Sequence, residues 1–275
     1  VSVSGAGVER TGGRNLIPRI LTAAFLIPLT LASIFLGGRI YAGVIAAMTI
    51  FLVFEWTRMV DGAEFSRGFY VLSATAALAA YFAAGGMPLL ALSAVVLGGI
   101  VATLLEWPKD NPQSWAMVGA LYIIVPAVAA LWLRRDAQGG EYLTFLLFAC
   151  VWAADSAAFL VGNLVGGPKL APRISPQKTW SGAVGAVIGS ALAAEGVARL
   201  APGETIPGFG LGIVLGVACI LGDLIESLAK RRYGMKDTGG AFPGHGGVLD
   251  RLDGFLFAVL ALSVVVLFGQ HARYG

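Results

Sequence analysis

The chain has 275 residues, of which 57% are hydrophobic and only 13% charged, with a mean hydropathy of +0.80 and a formal net charge of +3. That balance excludes a soluble globular domain and a disordered chain, and two cysteines exclude a disulfide scaffold. A polytopic membrane protein remains, since lipid offers the backbone no hydrogen-bond partners and each span needs about 20 mostly apolar residues.

In chain order, residues 1–15 are rich in Ser and Gly and read as a disordered tail, followed by a single integral membrane domain over 16–275. Apolar runs predict nine spans, at 16–36, 40–57, 69–85, 87–105, 115–133, 142–163, 180–200, 207–229 and 254–270. The fold class expected is therefore all-α, a polytopic membrane helix bundle of about nine transmembrane helices. The first run follows Arg10 and Arg14 but is longer than the apolar core of a secretory signal, and no small-residue cleavage site follows it. Cys150 and Cys219 fall inside spans and read as packing residues. Glu55 and Arg58, three residues apart at the end of the second span, are expected to pair with each other. Gly182, Gly185 and Gly189 on the seventh span predict close helix packing.

Nine spans put the termini on opposite sides of the membrane. With the N-terminus inside, only Arg39, Arg134, Arg135, Arg199 and Arg273 of the 19 Lys and Arg residues fall outside. The two loops richest in polar residues then face the cytoplasm.

The first of these, "GGPKLAPRISPQKTWSG", contains Pro168, Pro172 and Pro176, which exclude a regular helix and display Lys169, Arg173 and Lys178 on an irregular backbone. Ser175 and Thr179 add hydroxyls, and Thr179 stands where it caps the seventh span, whose N-terminal dipole favours an anion. Such a loop suits phosphate, although a loop lying against anionic headgroups would carry the same bases.

The second loop joins "LGDLIESLAKRRYG" to "MKDTGGAFPGHGGVLDRLDG". Asp223, Ser227 and Lys230 share one helical face with Glu226 beside them, and Asp223 lies about two turns from the helix end, where an unpaired carboxylate is costly. Asp250 and Asp253 open the last span, one of them expected at its N-cap. Carboxylates beside Lys and Arg suit Mg²⁺ and a polyphosphate, since hard oxygen ligands hold the metal and substrate phosphates complete its octahedron. An ordinary ion-pair and capping cluster is the plain alternative. Glycines such as Gly246 and Gly247 let the backbone approach a bulky anion, and His245 could contact a phosphate. Asp155, in the sixth span, is a second intramembrane acid and by default functional.

These residues also resemble a family. Ser227, Lys230 and Arg231, Lys236 and Asp237, then "PGHGG", Asp250, Arg251 and Asp253 match in order the signature of the CDP-diacylglycerol synthases, or phosphatidate cytidylyltransferases, and "SPQKTW" is similar to the family's second motif. Ser181 departs from it, standing where many members carry Glu. The resemblance implies a transferase of phospholipid biosynthesis that joins CTP and phosphatidate with Mg²⁺. It also implies a monovalent cation such as K⁺ beside the Mg²⁺, a homodimer, no nucleic-acid partner, and a bacterial-type inner-membrane location with the active site facing the cytoplasm. By the same resemblance, Asp223 and Asp250 ligate the metal, Asp253 supports them, and Lys169, Lys178, Lys230, Arg231, Lys236 and Arg251 hold phosphates, with His245 secondary. Two alternatives use the same residues: a CTP-dependent lipid kinase, and an ion-coupled transporter built on Asp155 and Asp223.

Overall fold

A computed structural model describes residues 27–106, 115–137, 139–200, 208–235, 238 and 247–274, with side chains described as far as residue 269. The described helices are α1 (Ile27–Leu36), α2 (Gly38–Asp61), α3 (Arg67–Ala84), α4 (Pro88–Glu106), α5 (Trp115–Arg135), α6 (Gly140–Val165), α7 (Trp180–Leu200), α8 (Gly208–Arg232) and α9 (Leu249–Tyr274). Seven of them are long and apolar enough to cross a membrane, so the chain is an integral membrane protein with the expected helical architecture. The other two are α3, whose 18 residues begin at Arg67, and α1, of which ten residues are described. The tail at 1–15 and the first part of the first predicted span lie outside the described residues.

The boundaries follow local chemistry. Ser66 caps α3 by accepting from the N–H of Phe69 at 3.1 Å, and α2 ends at Gly62 in the left-handed conformation that a Cβ would disfavour. Inside α5 the backbone widens to a π turn over Ala120–Ile124, just before Pro126, a residue without an N–H to give the helix.

Neighbours in sequence are neighbours in space: α2, α3, α4 and α5 pack in order, as do α6, α7, α8 and α9, and α9 also packs on α5 and joins the two groups. Without a hydrophobic force between helices in lipid, close packing of small residues holds them. A Cβ on Gly185 would lie 2.8 Å from the Cβ of Val161, and one on Gly189 only 2.6 Å from that of Ala157, so α6 and α7 meet along the expected glycine face. Gly216 brings α8 equally close to Val187 of α7, and a Cβ on Gly222 would overlap the carbonyl oxygen of Asp253 in α9. Both cysteines are buried and free.

The loop between α6 and α7 is more regular than its prolines suggest. It forms a two-stranded antiparallel hairpin, β1 (Lys169–Ala171) with β2 (Ser175–Thr179), registering Lys169 with Thr179 and Ala171 with Ser175. An isolated two-stranded pair tolerates proline because every strand is an edge.

Candidate functional site

The polar residues converge where α2, α6 and α8 end and α5, α7 and α9 begin. Three carboxylates, Asp223 and Glu226 of α8 and Asp253 of α9, offer oxygens that all lie within 4.8 Å of one another. The close approach at Gly222 makes this possible, since it draws the backbone of α8 against the Asp253 turn. Lys178 of β2 forms an ion pair with Asp223 and so ties the hairpin to α8. Lys230 lies 2.7 Å from Glu226 and 2.8 Å from Asp250, with the Glu226 side chain only 1% exposed. Four carboxylates thus face two ammonium groups, an excess of negative charge that one divalent cation would balance. Oxygen-only donors at this spacing suit a hard cation such as Mg²⁺.

Asp250 plays a different part from its neighbours. One oxygen takes Lys230, and the other accepts from the backbone N–H groups of Gly247 at 2.8 Å and Thr238 at 3.3 Å. It sits in the first turn of α9, and neither it nor Asp253 is the N-cap. The start of α9 is held from another helix altogether. Glu55 of α2, buried at 2% exposure, accepts from the N–H groups of Val248 and Leu249, each at 2.8 Å, and from the hydroxyl of Thr238 at 3.2 Å. The expected Glu55–Arg58 pair does not form: Arg58 lies 3.9 Å from Glu64 instead. A buried carboxylate on two unsatisfied helix N–H groups gains far more than one on an exposed arginine. No room remains at Gly247, where a Cβ would sit 2.6 Å from a Glu55 oxygen.

Beside the carboxylates lies a cavity of about 540 Å³, within the range of small-molecule sites, between α6, the hairpin, α7 and α8. Lys169, Lys178, Thr179 and Asp223 give it polar walls, while Phe159, Ala183 and Ile220 give it apolar ones. Thr179 caps α7 as expected, accepting from the N–H of Gly182 at 3.1 Å. Ser181, the departure from the family pattern, bonds Thr179 at 2.9 Å and donates to the carbonyl of Gly166, closing the base of the hairpin.

The other candidates are placed around this centre. Ser227 is buried on α8, one residue from Glu226. Ser175 begins β2 and is half-buried. Arg231 is exposed and donates to the carbonyl of Ile174 at 3.1 Å, a second tie between α8 and the hairpin. Arg251 is exposed at the start of α9, and Asp155 of α6 lies within electrostatic reach of it, of Lys178 and of Asp223. Lys236, Asp237, His245 and Gly246 lie outside the described residues. Sequence reasoning gave Glu55 the wrong partner and gave Glu226 no role of its own. For Glu226 the signal was there, an acid one turn before Lys230 on the face of Asp223; for Glu55 no local signal points to a partner 193 residues away.

Comparison with known proteins gives a consistent result. Residues 17–268 match the model of the cytidylyltransferase family. The chain is 38% identical to the phosphatidate cytidylyltransferase of Brucella suis over 93% of each chain. It is 35% identical to that of Pseudomonas aeruginosa, covering 90% of this chain and 96% of the relative, and 32% identical to that of Haemophilus influenzae, covering 91% and 98%.

Proposed function

Since the chain belongs to the cytidylyltransferase family, we propose that it converts CTP and phosphatidate to CDP-diacylglycerol and pyrophosphate, the activity its curated relatives are named for. The observation that carries this reading is the carboxylate cluster opening beside a lysine-lined cavity at the ends of α6 and α8. A cavity half polar and half apolar, on a membrane-spanning chain, fits a lipid whose phosphate must meet a water-soluble triphosphate.

A phosphatidate oxygen attacks the α-phosphorus of CTP, the bond from that phosphorus to the bridging oxygen breaks, and pyrophosphate leaves. The attacking phosphate monoester is already ionised near neutral pH, so no strong general base is required. The residues position the substrates and neutralise their charge. Lys169 and Lys178 line the cavity and hold phosphate oxygens, and Lys230, kept in place by Glu226 and Asp250, presents a further positive charge. Arg231, Arg251, Ser175, Thr179 and Ser227 complete the substrate-binding set, together with Lys236, Asp237, Gly246, Gly247 and a secondary His245.

Mg²⁺ would be held by Asp223 and Asp253 with Glu226 behind them, where it would neutralise charge on the triphosphate. Asp250, the partner of Asp223 that the family resemblance implies, already has both oxygens engaged and on this reading orders Lys230 and the turn before α9. K⁺ beside the Mg²⁺, a homodimer and a cytoplasm-facing site belong to the same proposal.

The decisive experiment labels CTP at the α- or the γ-phosphate and follows extraction into organic solvent with phosphatidate and Mg²⁺ present. Label at the α-position should enter the lipid and label at the γ-position should stay in water. Entry of the γ-label instead would replace this reading with a lipid kinase, and movement of neither by folded protein would favour a transporter.

A further inference from the structure

The end of the bundle remote from the carboxylates has another cavity, of about 320 Å³, lined by Arg39, Tyr41, Arg134 and Arg135 with Leu131 and small residues of α2 and α3. It lies at the start of α2, whereas Glu55 lies near the end of that helix, about 25 Å away at the rise of an α-helix. The two sites therefore belong to opposite faces of the membrane.

The arginines are seated rather than loose. The Nε of Arg134 donates to the carbonyl of Ile34 at 2.9 Å, and an Nη of Arg135 donates to that of Ala84 at 2.5 Å. Each guanidinium rests on a glycine in the left-handed region, Gly37 (φ 57°) under Arg134 and Gly86 (φ 77°) under Arg135. A Cβ at either would come within 2.7 Å of the guanidinium, so two backbone turns are shaped to admit these side chains. Glu141 lies 3.4 Å from Arg134 and Asp136 lies 3.7 Å from Arg135, which leaves Arg39 with no ion pair among the described residues.

Two further features point to an anion. Tyr41 is 2% exposed, lines the cavity, and its hydroxyl has no hydrogen-bond partner among the described residues, a costly state for a buried O–H. α2 also begins here without a side-chain cap, and Gly38, Arg39, Tyr41 and Ala42 of its first turns line the cavity, so the positive end of its dipole lies at this site. Phe35, Leu36 and Ile40, which flank the lining residues Gly38 and Arg39 in sequence, are more than half exposed and offer an apolar surface for acyl chains.

We propose that this cavity binds the phosphate of an anionic phospholipid in the leaflet opposite the carboxylate cluster. Arg39 supplies the free charge, Arg134 and Arg135 the fixed one, and the Tyr41 hydroxyl donates to a phosphate oxygen. The inference does not depend on the proposed reaction, and its test reads lipid binding directly.

Native mass spectrometry of the full-length protein in neutral detergent, titrated with phosphatidylglycerol, phosphatidylcholine or glycerol 3-phosphate, would test it. Phosphatidylglycerol should bind in preference to phosphatidylcholine. Arg39→Gln should weaken that binding about tenfold and Tyr41→Phe several-fold, as expected for loss of a charge-assisted and a neutral hydrogen bond, with lipid-independent stability unchanged. If glycerol 3-phosphate binds as tightly as the lipid, the site takes a soluble phosphate and the lipid assignment falls. Equal phosphatidylglycerol binding by wild type and both variants would overturn the site itself.

Discussion

Replacing Glu55 by Gln keeps the shape of the side chain but turns one of its two oxygens into an N–H donor, facing backbone N–H groups that also donate. In the native arrangement the carboxylate takes three hydrogen bonds, from Val248, Leu249 and Thr238. A charge-assisted bond contributes about 1.5–3 kcal/mol, and a buried donor left without a partner costs about 1–3 kcal/mol. Val248 and Leu249 are 5% and 0% exposed, so water cannot replace the missing oxygen. Glu55→Gln should therefore weaken the clamp on α9 by about 2–3 kcal/mol and Glu55→Ala by about 3–6 kcal/mol. Because Asp250 rides on that first turn and Asp253 follows directly after it, the loss reaches the carboxylates and Lys230. At about 1.4 kcal/mol per tenfold, kcat/KM in the α-label assay should fall about 30- to 140-fold for Gln and further for Ala. The Mg²⁺ concentration for half-activation should rise in both, a change that a purely global loss of stability would not produce below the unfolding temperature. Wild-type kcat/KM and Mg²⁺ dependence in Glu55→Gln, or an equal loss in every variant with normal Mg²⁺ dependence, would refute the clamp.

Three further outcomes are expected. Asp223→Asn and Asp253→Asn should each remove nearly all transfer, with the double variant little worse than either, because ligands of one cation act as a unit; clean additivity of the two losses would argue against a shared ion. Gly222→Ala should lower the unfolding temperature and turnover together, since the new methyl overlaps the Asp253 carbonyl and overpacking of this kind costs about 1–3 kcal/mol; a variant indistinguishable from wild type in both would contradict the close approach of α8 and α9. Lys178→Cys, in a background lacking Cys150 and Cys219, should react with a membrane-impermeant thiol reagent only in inverted vesicles; labelling from outside intact cells would reverse the topology.

Some of this protein was legible in one dimension because the physics that determines it is local. Long apolar runs mark membrane helices wherever they pack, since the cost of an unsatisfied backbone in lipid does not depend on neighbours, and six of the seven spanning helices begin within two residues of their predicted starts. The last begins five residues early, at Leu249, where tertiary contacts support polar residues inside a helical turn. The glycine face of α7, the cap at Thr179 and the polar face of α8 carrying Asp223 and Lys230 were likewise periodicities or end signals readable in place. What the tertiary structure alone decided was partnership. Glu55 has an arginine three residues away, and every local rule pairs them, yet burial against the start of α9 offers the carboxylate N–H donors that water cannot reach. The same holds for Asp250 and Asp253: in sequence they are equivalent acids on one helical turn, but the turn points one at Lys230 and the other at Asp223. A charge declares its own cost in the sequence, and only the packed helices determine which opposite charge or donor meets it.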